Sequence, residues 1–168
     1  MAFRIEAVSD EDRRWVERLW QTHWGGTTMA VHGEVFAVHG LPGFKAVADD
    51  GAMVGLLTYR RVPDALEFEV LSLNSLREGI GIGRALLQRL MDQARDEHLT
   101  RIWLITTNEK VDPLRFYQRL GFRLVRVHLD AVTRARRLKT SIPEHGDDGV
   151  PLRDEWELEW RPDVPKLV

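Results

Sequence analysis

The spacing of apolar residues predicts a chain in which strands and helices alternate. Apolar and polar residues alternate in Phe3–Ser9, which predicts a strand, and apolar residues recur at helical intervals in residues 10–24. Two apolar runs on either side of the turn residues Asp49–Gly51 predict a β-hairpin, and Ala65–Asn74 predicts a further strand. We expect Ser9 or Asp10 to cap the first helix, because short polar side chains satisfy free N–H groups there.

The second half of the chain continues the same pattern. It predicts a helix from Ile82, a strand at Arg101–Thr106, a short helix from Asp112, a strand from Phe122 and a final strand at Asp154–Trp160. A strand, a helix and a strand in this order predict a parallel crossover. Asp112 is the expected N-cap of its helix, and the glutamates of the final strand are expected on an exposed face.

Composition indicates an ordinary globular protein. The 168 residues are 43% hydrophobic and 30% charged, with a formal net charge of −2 and no cysteine. We therefore expect a single domain over residues 1–168, no nucleic-acid partner, no disulfide and no thiolate chemistry. No apolar run approaches the roughly 18 residues of a membrane span, and no signal core precedes the first strand, so we expect a cytoplasmic protein without a membrane partner. Homodimer formation stays open.

Three glycines at every second position, Gly79, Gly81 and Gly83, lie at the start of the predicted helix. Glycine lets backbone N–H groups approach an anion at a helix N-terminus, where the helix dipole favours negative charge. The dinucleotide pattern G-x-G-x-x-G fails, because its last position falls on Arg84 or Leu86, and no Gly-Lys-Ser/Thr follows for a P-loop. Tight packing of helix against sheet is the alternative explanation.

Two motifs carry a family resemblance. The stretch EGIGIGRALL, Glu78–Leu87, resembles the pyrophosphate loop Gln/Arg-x-x-Gly-x-Gly/Ala of the GNAT acetyltransferase superfamily, and FYQRLGF, Phe116–Phe122, resembles its second signature. The order of predicted elements is similar to the GNAT fold over roughly the whole chain. The resemblance implies an α/β (α+β) fold whose central sheet is mixed, mostly antiparallel and twisted, with one parallel strand pair and flanking helices.

The resemblance also implies acetyl-CoA as acyl donor and a set of contacts to it. The loop residues expected at the diphosphate are Glu78, Gly79, Ile80, Gly81, Ile82, Gly83 and Arg84. Glu78 departs from the family's Gln or Arg, and Arg77 is the cation that could compensate. The backbone of Leu71, Ser72 and Leu73 is expected to bind pantetheine and the thioester oxygen. Phe116 and Asn108 are further expected contacts, with Lys110 the alternative to Asn108.

Acyl transfer to an amine needs a proton donor for the leaving thiolate and a base for the amine. Tyr117 matches the tyrosine that lies near the thioester sulfur in many family members, and aromatic packing is the alternative role. For the base, two-residue periodicity puts Glu67, Glu69, Leu71 and Leu73 on one face of a strand. Glu67 is favoured slightly over Glu69, and both could instead be solvated.

The sequence thus predicts direct acetyl transfer from acetyl-CoA to a primary amine of a small-molecule or peptide acceptor. The six histidines show no metal spacing, so no metal is expected. The acidic segment 139–155, with Glu144, Asp147, Asp148, Asp154 and Glu155, suggests a cationic acceptor. A catalytically silent CoA-binding module and an unrelated α/β domain remain as alternatives, and neither the acceptor nor the acyl chain length follows from the sequence.

Overall fold

The structure is a computed structural model that describes residues 2–162. Its strands are β1 (Phe3–Ala7), β2 (Thr28–Val31), β3 (Glu34–Ala37), β4 (Gly43–Ala48), β5 (Met53–Arg61), β6 (Glu67–Ser75), β7 (Arg101–Thr107), β8 (Arg123–His128) and β9 (Glu155–Trp160). Its helices are α1 (Arg13–Trp24), α2 (Ile82–Asp96), α3 (Val111–Arg119) and α4 (Ala131–Leu138).

Seven strands form one sheet in the order β1-β4-β5-β6-β7-β9-β8, while β2 and β3 form a separate hairpin. The sheet is mostly antiparallel with one parallel pair, which confirms the predicted fold class. β6 and β7 are neighbours joined through α2, the kind of connection that parallel strands require. The chain divides into two compact units, and the single-domain assignment stays a prediction.

The first unit contains the residues up to Arg13, Leu41–Trp103 and the described residues from Arg161. Helix α2 buries the apolar residues that its sequence places at helical spacing, as expected: Ile82, Leu86, Leu90 and Ala94 are at most 1% exposed. Ile82 and Leu86 lie over β5 at Gly55, where a Cβ would collide with the side chain of Ile82. The bare backbone of Gly55 therefore sets how closely α2 approaches the sheet.

A β-bulge in β6 changes which side chains share a face. Thr58 of β5 pairs with Ser72, but the next β5 residue, Tyr59, pairs with Val70, so Leu71 is an extra residue in β6. One face of β6 therefore carries Glu67, Glu69, Ser72 and Asn74, and the other carries Phe68, Val70 and Leu73. The prediction that Leu73 shares the face of Glu67 and Glu69 is wrong, because a bulge shifts the two-residue alternation by one.

Ser9, one of the two predicted caps, is the N-cap of a 3₁₀ turn, Asp10–Asp12, that leads directly into α1. The Ser9 N–H donates to Asp12 Oδ2 at 2.8 Å, and the Ser9 hydroxyl lies 3.0 Å from the same oxygen. Asp12 also accepts two hydrogen bonds from Lys45 Nζ, at 2.7 and 2.8 Å. Burial opposes ionisation of Asp12, but the bonds from Lys45 and Ser9 outweigh it and lower its pKa.

The second unit contains Arg14–Gly40 and Leu104–Trp160. Its β2–β3 hairpin has no counterpart among the predicted elements, because each strand has only four residues. The turn residues His32 and Gly33 both have positive φ, +41° and +85°, as tight hairpin turns require. The His32 N–H donates to both carboxylate oxygens of Glu155, at 3.2 and 3.1 Å.

Two local predictions in this unit are wrong. Glu155 is only 2% exposed rather than solvated, because β9 lies between β7 and β8 in the sheet. This burial raises the pKa of Glu155. Asp112 is not the N-cap of α3, because the cap is Lys110. Asp112 lies in the first turn, where its negative charge interacts favourably with the helix dipole.

Candidate active site

The glycine loop before α2 has the backbone that its sequence predicts. Gly79 and Gly81 have φ values of +77° and +85°, and Gly81 is the N-cap of α2. A Cβ built on either glycine would meet no atom within 4 Å. The left-handed backbone at both positions therefore favours glycine. Both positions face open space and do not face a packed helix or sheet. This observation speaks against tight packing as the reason for these two residues.

The start of α2 offers hydrogen-bond donors to an anion. The first helical hydrogen bond runs from the Ala85 N–H to the Gly81 carbonyl at 3.0 Å, so the preceding N–H groups have no helical acceptor. Ile82 is 1% exposed, which leaves it only its backbone for such a contact. Gly83 lies inside the first turn of the helix, where a side chain would add bulk beside those N–H groups.

The charges around the loop suit a diphosphate despite the unusual Glu78. Glu78 and Arg84 are both exposed, so the carboxylate is free to turn away and the guanidinium to turn in. The Arg77 side chain is 36% exposed, and its Nη2 lies 3.9 Å from Asp50 Oδ2. Ile80 is exposed at 37% between the two left-handed glycines. Open glycines, free N–H groups and two arginines fit the diphosphate of coenzyme A.

The β6 segment at the bulge has buried side chains. Leu71 is 6% exposed and Ser72 is 2% exposed. The Ser72 hydroxyl forms a 2.7 Å hydrogen bond with the Thr58 hydroxyl. The side chain of Ser72 is therefore engaged inside the sheet, and Leu71–Leu73 could contact a cofactor only through backbone groups.

The two glutamates of β6 have different surroundings. Glu69 is 1% exposed, and its Oε2 lies 2.5 Å from Nε of Arg60, its cross-strand neighbour. Glu67 has a side chain that is 24% exposed, and its Oε2 lies 3.5 Å from an Arg101 nitrogen. Glu67 is the more accessible carboxylate with the longer ion pair, which favours it over Glu69 for exchanging a proton with a substrate.

Tyr117 lies on α3 between two aromatic rings. Its ring packs edge-on against Phe116 and Phe122, with centroid separations of 5.2 and 5.7 Å. Within residues 2–162 its hydroxyl forms no hydrogen bond, and burial raises its pKa above the ordinary tyrosine value. The phenol therefore stays protonated at neutral and alkaline pH, as a proton donor must.

Asn108 has a structural role that its sequence position did not predict. Its side-chain N–H donates to the Pro151 carbonyl at 2.9 Å, and its Oδ1 accepts the N–H groups of Arg153 and Asp154 at 2.9 and 3.0 Å. The amide thus fastens the segment before β9 to the end of β7. These three bonds do not support the expected cofactor contact of Asn108.

The acidic segment 139–155 separates into exposed and buried carboxylates. Glu144, Asp147 and Asp148 are exposed, whereas Asp154 is 6% exposed and binds Arg153 at 3.0 Å. The Asp154 pKa is lowered, first by its hydrogen bond with Arg153. Asp154 and Glu155 therefore hold the fold together and are removed from the expected acidic surface.

One residue that the sequence analysis missed stands out in this region. Glu109 follows Asn108, its side chain is 5% exposed, and its Oε2 has no hydrogen-bond partner among the described residues. No local pattern marks it, because its burial comes from a loop distant in sequence. Within residues 2–162 no three histidine or acidic side chains are placed to hold a metal ion, and no helix is long and apolar enough to cross a membrane.

Comparison with known proteins identifies the family. Residues 6–122 match the Acetyltransferase (GNAT) family. The chain belongs to this family. It is 43% identical over 133 residues to the uncharacterized protein YdhI of Bacillus subtilis, covering 79% of this chain and 82% of YdhI. It is also 32% identical over 81 residues to the streptothricin acetyltransferase of Streptomyces lavendulae, covering 47% of this chain and 43% of that protein.

Solved structures agree on the GNAT fold. A GNAT family acetyltransferase from Elizabethkingia anophelis, solved with acetyl-CoA bound, matches with a TM-score of 0.67 and 15% identity. The match covers 95% of this chain and 97% of that one. As a member of the GNAT family, the protein is an N-acetyltransferase enzyme.

Proposed function

We propose that this GNAT enzyme transfers an acetyl group from acetyl-CoA to a primary amine of a small acceptor by direct transfer in a ternary complex. The observation that carries the proposal is the pair Gly79 and Gly81, left-handed and open to approach at the N-terminus of a 15-residue helix. The chain has no cysteine, and no other nucleophile with an activating base is evident in the part of the chain that the structure describes, which supports transfer without a covalent acyl-enzyme.

Bound acetyl-CoA supplies a thioester: the amine nitrogen forms a bond to its carbonyl carbon, the carbon–sulfur bond breaks, and CoA leaves as the thiol. Tyr117 gives its hydroxyl proton to the leaving sulfur. Glu67 takes the proton that the amine loses, through a water molecule. Backbone N–H groups of Leu71–Leu73 donate to the carbonyl oxygen as it gains charge. We assign Glu69 no proton transfer, since it is buried and paired with Arg60.

The first experiment measures the melting temperature with and without acetyl-CoA, and the second measures CoA release with a panel of primary amines. Acetyl-CoA at a hundred times its Kd should stabilise the fold by about 2.7 kcal/mol. Turnover with at least one amine and an acetylated product by mass spectrometry are the expected results. Binding without turnover across a broad panel would favour a CoA-binding module, and absence of binding would overturn the proposal.

We keep two further expectations with this proposal. The protein acts in the cytoplasm, and its acceptor is a small molecule or a peptide, not a nucleic acid. The streptothricin acetyltransferase similarity supports a small-molecule acceptor, although it covers less than half of either chain. Fractionation of cells and identification of the acetylated product test these two points.

A further inference from the structure

The inference starts from the buried carboxylate of Glu109, in the loop between β7 and α3. Its Oε1 lies 3.3 Å from Lys110 Nζ, while its Oε2 is buried without a hydrogen-bond partner in the described part of the chain. A carboxylate oxygen can only accept hydrogen bonds. Leaving one buried and unsatisfied costs free energy, so such an atom points to a donor that the protein acquires from outside.

A preformed turn lies over Glu109. The Gly146 N–H bonds the Val150 carbonyl at 2.9 Å, the Gly149 N–H bonds the Gly146 carbonyl at 3.0 Å, and His145 pairs with Pro151. We call residues 144–152 the acidic turn. Asn108 holds its base at Pro151, as described above. The turn is therefore fixed in place beside Glu109 without a ligand.

The acidic turn approaches Glu109 at Gly146. A Cβ on Gly146 would lie 2.8 Å from Glu109 Cγ and 3.4 Å from Asp148 Oδ1. Gly146 therefore brings the backbone of the turn, the Asp148 carboxylate and the Glu109 side chain to one place, and a larger residue would push the turn away. The Glu109 side chain and the Asp148 carboxylate, from different parts of the second unit, therefore both lie beside Gly146.

The charges at this place select the ligand. The turn adds the exposed carboxylates of Glu144, Asp147 and Asp148. Of the cations beside it, Lys110 pairs with Glu109 and has a side chain that is 47% exposed, and Arg153 pairs with Asp154 at 3.0 Å. Because the carboxylates of the turn are negative, a hydrogen-bond donor to Glu109 Oε2 is favoured if it carries a positive charge. An anionic or purely apolar ligand is disfavoured by the same groups.

We propose that Glu109 and the acidic turn bind an ammonium group of the acceptor, so that the substrate carries a second positive charge besides the amine that is acetylated. This inference rests on the proposed function, whose acceptor it narrows to a diamine or polyamine class. It replaces the broader acidic surface expected from the sequence, because Asp154 and Glu155 are internal.

The test compares cadaverine with 1,5-pentanediol, two five-carbon chains that end in ammonium groups and in neutral hydroxyl groups, respectively. We expect wild-type protein to bind cadaverine about tenfold or more tightly than 1,5-pentanediol in calorimetric titrations, since a hydrogen bond to a charged group is worth that much. Glu109→Gln should abolish the preference, and Glu109→Asp, which keeps the charge, should retain part of it. Glu11→Gln, which removes an exposed carboxylate in the first unit, is the control and should leave the preference intact.

Lys110→Met gives a result of opposite sign. This change removes the Lys110 ammonium and frees Glu109 Oε1, so cadaverine should bind more tightly, which a purely structural role of Glu109 would not produce. Equal binding of cadaverine and 1,5-pentanediol by wild type, or a preference that survives in Glu109→Gln, would overturn the inference. If Glu109→Gln does not fold, cadaverine binding that is unchanged in Lys110→Met would overturn it.

The failure of this inference is separable from failure of the proposed function. The titrations use no acyl donor, so they report on the ammonium site even if acetyl-CoA does not bind. Conversely, acetyl-CoA could bind and turn over with neutral-chain amines while the preference for cadaverine is absent. That result would support the acetyltransferase assignment and contradict the proposed ammonium site.

Discussion

Replacing Gly81 with valine should separate the stability of the fold from cofactor binding. Gly81 has φ of +85° and open space at its Cβ position. A side chain there strains the backbone by about 1–2 kcal/mol. A domain of this size loses about 2–4 °C of melting temperature per kcal/mol, so Gly81→Val should melt about 2–8 °C lower. Its branched side chain would stand where a diphosphate approaches the N-terminus of α2.

Gly33→Val is the matched control. Gly33 has the same φ of +85° and also has no atom within 4 Å of its Cβ position, but it lies in the β2–β3 hairpin. Both variants should therefore lose similar stability. Acetyl-CoA at a hundred times the wild-type Kd should raise the melting temperature of wild type and Gly33→Val by about 5–10 °C. The same ligand concentration should leave Gly81→Val unshifted.

The assay is a thermal melt with and without acetyl-CoA, backed by calorimetric titration of coenzyme A. A Gly81→Val protein that keeps the full ligand-induced shift would refute the assignment of the loop. A Gly33→Val protein that loses the acetyl-CoA-induced shift in melting temperature would show that backbone strain alone abolishes binding. In that case the open space at the Gly81 Cβ position would not explain the effect of Gly81→Val. Unequal losses of stability would show that the two glycines are not equivalent in strain.

Three further changes test the rest of the site and the fold. Tyr117→Phe should lower kcat about 100-fold with little change in KM for acetyl-CoA, because it removes only the proton donor; full activity would leave Tyr117 a packing residue. Glu67→Gln should lower kcat by a similar factor at neutral pH, with a deficit that narrows as pH rises and more of the amine is neutral; a deficit independent of pH would contradict its role as base. Asp12→Asn should cost about 1–3 kcal/mol in urea unfolding at neutral pH, since it leaves Lys45 without its closest partner. The lowered pKa of Asp12 means that this stability is present above the unfolded value near 3.9 and is lost as pH falls through the folded value, so the variant should lose less stability on acidification than wild type.

Local signals in the sequence were sufficient for the elements that depend on local periodicity. The helical spacing from Ile82 predicted both the existence of α2 and the face it buries. Gly81 and Gly121, with φ of +85° and +94°, mark the start of α2 and the end of α3 as expected. Each of these features is decided within a few residues, because caps, turns and amphipathic faces are properties of neighbouring positions.

Features that depend on distant partners were not predictable in the same way. The bulge at Leu71 exists only through the pairing of β6 with β5, and it moved Leu73 to the opposite face. Glu155 alternates like a solvated residue, yet its place in the sheet and the His32 N–H decide its environment. Asn108 was assigned by family position, whereas the chain that returns to form β9 engages its amide. Each outcome is decided by tertiary contacts rather than by local sequence.

The surroundings of the two glutamates of β6 support the different roles that we propose for them. A buried ion pair loses much of its value if one partner changes charge, because the other is left uncompensated. Protonating Glu69 during turnover would leave Arg60, 19% exposed, facing a neutral acid at 2.5 Å. The Glu67 side chain is 24% exposed, and its Oε2 lies 3.5 Å from Arg101 Nη1, so a substrate or water molecule can reach this carboxylate more easily. We therefore infer that Glu69 and Arg60 keep β5 and β6 in register, and that Glu67 is the carboxylate suited to accept the amine's proton.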